Sequence, residues 1–146
     1  MAVRRRMIRD WMTPDPITIG PNTTLPEAAR LMKECNIHRL PIVDNERLVG
    51  IVTLGDIREA SPSNAHSLSI YELNYLIARL TVGEIMTRHP ITVTPDMSVE
   101  AAARLMLEHK IGGLPVMDGN RLVGIITETD IFRLLVTEGE LRKTLA

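Results

Sequence analysis

A single cysteine, Cys35, among 146 residues excludes an intrachain disulfide and suits a reducing compartment. Aromatic residues make up only 3%, so Ile, Val, Leu, Met and Ala must fill the core. The same scarcity removes the interleaved aromatics of a nucleic-acid surface, and no recognition-helix motif replaces them. No apolar run approaches the ~18 residues of a membrane span. The N-terminal MAVRRRMIRDWM is basic but lacks the apolar stretch of a secretory signal. The formal charge of −1 gives no general pull toward nucleic acid or membrane. The chain is expected to be cytoplasmic, with no membrane partner.

Catalytic equipment is equally sparse. There is no His-x-x-x-His pair, Cys cluster, nucleophile elbow, Walker loop or dinucleotide fingerprint. His66, His89 and His109 are scattered and expected at surface or satisfied positions. Cys35 falls on an apolar helical stripe and is expected to be a buried, inert thiol. These absences point away from an enzyme and from a required cofactor or metal.

What the chain does have is a repeat. Met12–Ile57 shifted by 74 positions falls on Met86–Ile131 without a gap, with about half of the paired residues identical. MTPDPITIGP matches MTRHPITVTP, and EAARLMKECNIHRLPIVDNERLVGIVTLGDI matches AAARLMLEHKIGGLPVMDGNRLVGIITETDI. A repeat kept in register over that length means two copies of one structural unit. At 45% apolar and 24% charged residues, the whole suits one compact module.

Each copy reads as strand, helix, strand, strand, helix, an α+β pattern. The first strand is expected over Pro16–Ile19 and Pro90–Val93. The helix is expected over about Leu25–Cys35 and Val99–His109, capped by Thr24 and Ser98, with Pro26 in the first turn. A hairpin follows, Leu40–Val43 with Leu48–Val52 and Leu114–Met117 with Leu122–Ile126, around the turn-formers Asp44–Arg47 and Asp118–Arg121. A second helix starts near Thr53 or Thr127. The expected boundaries are residues 8–60 for the first domain, 61–81 for a linker with a helix around Tyr71–Leu80, and 82–138 for the second domain. The two copies are expected to pack about a pseudo-twofold axis. The linker helix and the Arg-rich start are candidate contact surfaces, although Arg4-Arg5-Arg6 reads first as a solvated run.

The informative constellation is Gly-Ile-Val-Thr53-Leu-Gly55-Asp56 and its echo Gly-Ile-Ile-Thr127-Glu-Thr129-Asp130, each following a strand and opening a helix. Two readings stand side by side. Thr-x-x-Asp at a helix start resembles a capping box. The same geometry offers free N–H groups, a hydroxyl and a carboxylate able to accept from two vicinal hydroxyls of a ribose. At the start of the next strand, Arg39 could grip a phosphate and His38 could supply a flat face or a hydrogen bond. These two could equally be a solvated dipeptide. The second copy has Gly112-Gly113 there, so the halves match in scaffold but not in charge.

The MTxxPITV opening, the HRLPIVD segment and the GIVTxxDI ending, each with its counterpart in the second copy (GGLPVMD for the middle one) over about nine-tenths of the chain, resemble the CBS domain family, named after cystathionine beta-synthase. The resemblance implies a stand-alone pair of repeats, often dimerising, that binds adenosine-containing ligands in clefts and regulates rather than catalyses. It implies one cleft with Asp130, Thr127, Thr129 and Ile125 beside Met12, Ile17, Ile37, His38 and Arg39. Asp130 would hold the ribose, and Thr127 and Arg39 the phosphate. A weaker cleft would use Asp56, Thr53, Gly55 and Ile51 with Met86, Ile91, Ile111 and Gly112. AMP, ADP or ATP is the expected ligand, with S-adenosylmethionine also open. A homodimer and an unidentified effector protein are the expected partners. The competing reading is an interaction scaffold in which Asp56 and Asp130 are caps alone.

Overall fold

The computed structural model describes residues 6–60 and 78–145. The elements in chain order are α1 (Ile8–Trp11), β1 (Thr13–Pro14), α2 (Leu25–Cys35), β2 (Arg39–Asp44), β3 (Arg47–Thr53) and α3 (Leu54–Ala60). They recur as α4 (Val82–Ile85), β4 (Thr87–Arg88), α5 (Val99–His109), β5 (Gly113–Asp118), β6 (Arg121–Thr127) and α6 (Glu128–Leu145). The expected linker helix around Tyr71–Leu80 and His66 lie largely or wholly within 61–77, outside the described residues.

Both long helices begin and end where local chemistry dictates. Thr24 accepts from the Glu27 N–H while the Glu27 carboxylate takes the Thr24 N–H, a reciprocal cap at the start of α2. Ser98 accepts from the Ala101 N–H at the start of α5. Asn36 and Lys110 close the two helices in the left-handed region, where the chain must turn sharply. Leu25, Ala28 and Met32 form the buried stripe of α2, matched by Val99, Ala102 and Met106 of α5. Cys35, expected on that stripe, is exposed instead. It ends the helix beyond the last buried turn, and the half-buried Ile37 packs against the core in its place.

The β2–β3 and β5–β6 hairpins form as expected, each one residue longer at both ends than the apolar runs. The expected first strands shrink to single bridges, Ile19 with Ile42 and Val93 with Val116. Ile19 donates to the Pro41 carbonyl and accepts from the Val43 N–H. Val93 does the same with Pro115 and Met117. A proline has no N–H, so Pro41 and Pro115 cannot extend these ladders.

The chain folds into two compact units that cut across the repeats. One joins the segment ending at Pro16 to the chain from Ile91 onward, and the other runs Ile17–Pro90. In the first, β1 pairs antiparallel with β6, giving the sheet β1-β6-β5. Ile8 is fully buried with Val93, Val99 and Leu134. Its N–H donates to the Met97 carbonyl at 2.9 Å, and the Val99 N–H donates to the Arg6 carbonyl at 2.7 Å. In the second, β4 pairs with β3, giving β2-β3-β4. There Val82 is buried against Leu25 and Ile57, and its N–H donates to the Thr23 carbonyl. Each unit therefore completes its sheet with a helix-and-strand segment that precedes the other repeat's first bridge.

Two glycines make this possible. A Cβ on Gly124 would meet the Met12 side chain and lie 3.0 Å from the Thr13 carbonyl. A Cβ on Gly50 would meet the Met86 side chain and lie 2.9 Å from the Thr87 carbonyl. Among the described residues, no helix is long and apolar enough to cross a membrane.

Candidate functional site

In the unit that contains Asp130, β6 runs straight into α6 and carries Ile125 and Thr127 to the helix start. Asp130 is 2% exposed, the one charged residue among the buried described set. Its Oδ2 accepts from the Thr127 N–H at 2.9 Å and lies 3.4 Å from the Thr127 hydroxyl. Its Oδ1 is 3.2 Å from a guanidinium nitrogen of Arg133, one turn along the helix. The Glu128 N–H donates to the Gly112 carbonyl. Thr13 stands opposite Ile125 in the β1–β6 ladder, which brings Met12 over Gly124 beside the same strand.

The unit that contains Asp56 repeats the plan. The Thr53 N–H donates to Asp56 Oδ2 at 2.8 Å, and the Asp56 N–H donates back to the Thr53 hydroxyl at 3.1 Å. The Leu54 N–H donates to the His38 carbonyl. Arg39 stands opposite Thr53 in the β2–β3 ladder, and Met86 lies over Gly50 beside Ile51.

Thr53 and Asp56 thus form a reciprocal helix cap, whereas in the second copy the Asp130 carboxylate alone accepts from Thr127. A cap satisfies orphan N–H groups at a helix start and leaves the second carboxylate oxygen to another partner. For Asp130 that partner is Arg133. The residue at the matching place in the first copy is Glu59, which cannot play that part. The caps differ in burial as well, since Asp56 is only half-buried.

The structure gathers Met12, Ile125, Thr127, Thr129 and Asp130 in one unit, together with Ile91, Ile111 and Gly112. Ile51, Thr53, Gly55, Asp56 and Met86 share the other with Ile17, Ile37, His38 and Arg39. Thr129, Gly55, His38 and Ile17 are exposed. A groove of about 360 Å³ lies beside His38 and Ile37, lined also by Met32, Leu54 and Arg58. His89 and His109 are exposed, as expected.

Two arginines escaped the sequence reading. Arg133 was detectable, because a cation three residues after Asp130 on a helix must lie on the same face. Arg6 was read as solvated, yet it is half-buried and tied down. Its Nε and one NH2 nitrogen grip both oxygens of Glu138 at 2.8 and 2.7 Å, and its other nitrogen donates to Glu100. Hydrogen bonds to Glu100 and then Glu138 hold its guanidinium above its already high ordinary pKa. That contact spans most of the chain, so no local pattern announces it. Among the described residues, no group of three or more His, Cys, Asp or Glu side chains could hold a metal ion.

The CBS domain profile matches residues 8–63 and again 82–137. The chain is 38% identical over 130 residues to the L-aspartate semialdehyde sulfurtransferase of Methanocaldococcus jannaschii, covering 88% of this chain but only 23% of that enzyme. Among solved structures it resembles the CBS domain pair of protein MJ0100 in complex with 5′-methylthioadenosine and S-adenosyl-L-methionine. The identity is 36% and the TM-score 0.75, over 90% of this chain and 97% of that one. It also resembles CBSX2 in complex with AMP, at 32% identity and TM-score 0.72, over 90% and 97% of the two chains.

Proposed function

We propose that this chain, which belongs to the CBS domain family, is a regulatory module that binds an adenosine-containing ligand and reports its presence through a change in packing. The observation that carries the reading is the buried Asp130 carboxylate, fixed by Thr127 at a helix start. It is an acceptor of defined geometry at a helix start, where the helix dipole is positive. Support comes from two similar domain pairs, one holding S-adenosyl-L-methionine and 5′-methylthioadenosine and the other AMP. A ligand shifts the packing only by its differential affinity for the two arrangements. The module acts by binding rather than by catalysis, works in the cytoplasm as a homodimer, and signals to a separate effector protein.

The ligand of this reading is AMP, ADP or ATP. Asp130 takes the ribose hydroxyls and Thr127 the phosphate, with Thr129 beside the ribose and Ile125 and Met12 flanking the base. The second site uses Asp56, Thr53, Gly55 and Ile51 with Met86 and, its carboxylate being only half-buried, binds the ligand more weakly. Titration calorimetry of AMP, ADP, ATP and S-adenosylmethionine against Asp130→Ala and Asp56→Ala tests this. Asp130→Ala should abolish the tighter event. If Asp56→Ala abolishes it instead, the two sites are reversed.

That each carboxylate accepts a backbone N–H at a helix start favours one competing reading, a scaffold whose caps serve the helices alone. Ligand at a hundred times its Kd should add about 2.7 kcal/mol of stability. A melting temperature unmoved by millimolar adenine nucleotides or S-adenosylmethionine selects the scaffold.

A further inference from the structure

Arg133 holds the one oxygen of Asp130 that Thr127 leaves. Asp130 Oδ2 accepts from the Thr127 N–H at 2.9 Å, and Oδ1 lies 3.2 Å from a terminal guanidinium nitrogen of Arg133. A helical side chain leans back toward the helix N-terminus, so this arginine covers the first turn of α6. The two partners are unequal. The Asp130 side chain is buried, whereas that of Arg133 is largely exposed on a flexible stem. An ion pair with one exposed partner is weak, so the carboxylate is fixed and the cation is movable. The first repeat places its charge differently. Arg39 stands opposite Thr53 in the β2–β3 ladder, and Gly113 takes that place opposite Thr127 in the β5–β6 ladder. One turn into the following helix the order reverses, with Glu59 after Asp56 and Arg133 after Asp130. The second repeat lacks a cation at its strand entry and carries one on its helix instead.

We propose that Arg133 sets the ligand preference of the Asp130 site. It competes with a ribose hydroxyl for Oδ1, and a 5′-phosphate on the same ligand takes up the guanidinium that the hydroxyl displaces. This rests on the ligand reading above and names the residue that makes the site select an adenosine ligand bearing a phosphate. A ligand without a phosphate displaces the cation and offers it nothing in return. A phosphate offers it two oxygens in the fork geometry that a guanidinium fits. The need for a cation is local. Helix α6 is acidic in its first turn, through Glu128 and Asp130, and those carboxylates alone would repel a phosphate beside Thr127. Arg133 supplies the opposite charge from one turn further on, where Glu59 of the first repeat would add to the repulsion.

Titration calorimetry of AMP and of adenosine against the full chain reads the preference. Asp56→Ala serves as the background, so that one site reports. Should that variant not fold, the tighter event of the otherwise unaltered chain is read. Circular dichroism shows that each variant is folded. With Arg133 present, AMP should bind roughly ten- to a hundredfold more tightly than adenosine. Arg133→Gln should remove that advantage by weakening AMP, and should leave adenosine as tight or tighter, because Oδ1 then has no competing cation. Arg133→Lys should keep part of the preference, since an ammonium is a point charge without the fork. An AMP affinity unmoved by Arg133→Gln overturns the proposal. So does an equal loss of AMP and adenosine, which would mark a purely structural part. In both cases binding that still needs Asp130 leaves the ligand reading standing. If neither compound binds, or Asp130→Ala leaves both unmoved, the ligand reading falls and this proposal falls with it.

Discussion

Arg133 places its guanidinium 3.2 Å from the carboxylate of Asp130 across one turn of α6. The two side chains differ sharply in surroundings, at 57% and 3% exposure. A cap that satisfies a helix start is worth about 1–2 kcal/mol, and an ion pair with one exposed partner well under 1 kcal/mol. Asp130→Ala should therefore destabilise the protein by about 1–2 kcal/mol and Arg133→Ala by less than about 0.5 kcal/mol. Urea unfolding measures both. Equal losses would mean that the ion pair, not the cap to Thr127, holds the carboxylate.

How much of this was legible before the structure depends on the range of each interaction. The limits of α2 and α5 followed from Thr24, Ser98 and a helical stripe, all local signals. The hairpins followed from turn-formers between apolar runs, and Asn45 and Glu46 indeed take positive φ. The α1–β1 and α4–β4 segments were invisible because they are four and two residues long. Only pairing with strands of the distant repeat makes them structure. Cys35 misled because a stripe extrapolated to the last helical residue passes the edge of the core. The Thr-x-x-Asp sites were found by pattern, but their burial was not.

Gly124 and Gly50 should each reject a side chain. An added Cβ meets the flexible Met12 or Met86 thioether and also a fixed carbonyl oxygen. Overpacking of this kind costs about 1–3 kcal/mol. Gly124→Ala should fall in that range. Met12→Ala added to it should recover only part of the loss, because Thr13 cannot move without breaking the β1–β6 ladder. Full recovery in a thermal-melt double-mutant cycle would place the clash on the methionine alone.

The Arg6 clamp should respond to salt. Its two carboxylate partners lie on α5 and α6, so Arg6→Ala unties the N-terminal segment from both helices. Partly exposed charges are screened within about 10 Å at 0.1 M salt. The variant should melt below the wild type at low ionic strength, and the gap should narrow as sodium chloride is raised. A gap independent of salt would assign the loss to the side chain's packing instead.

The exchange of segments between units makes the strongest prediction about folding. A fragment of residues 82–138, the second repeat as the sequence delimits it, keeps β5, β6 and most of α6. It lacks Ile8, Trp11, Met12 and β1, which complete that unit's core and sheet. Ile8 is fully buried, and truncating such a residue to Ala costs about 2–5 kcal/mol. Against a typical domain stability of about 5–15 kcal/mol, losing Ile8, its neighbours and the β1 ladder should leave the fragment unfolded or without a cooperative melt. Residues 6–16 fused through a flexible linker to residues 91–144 should instead unfold cooperatively, because that chain contains every element of one compact unit. Far-ultraviolet circular dichroism and urea titration of the two fragments decide the matter. A cooperative transition for 82–138 equal to that of the fused chain would show that the repeat, not the exchanged unit, is the folding element.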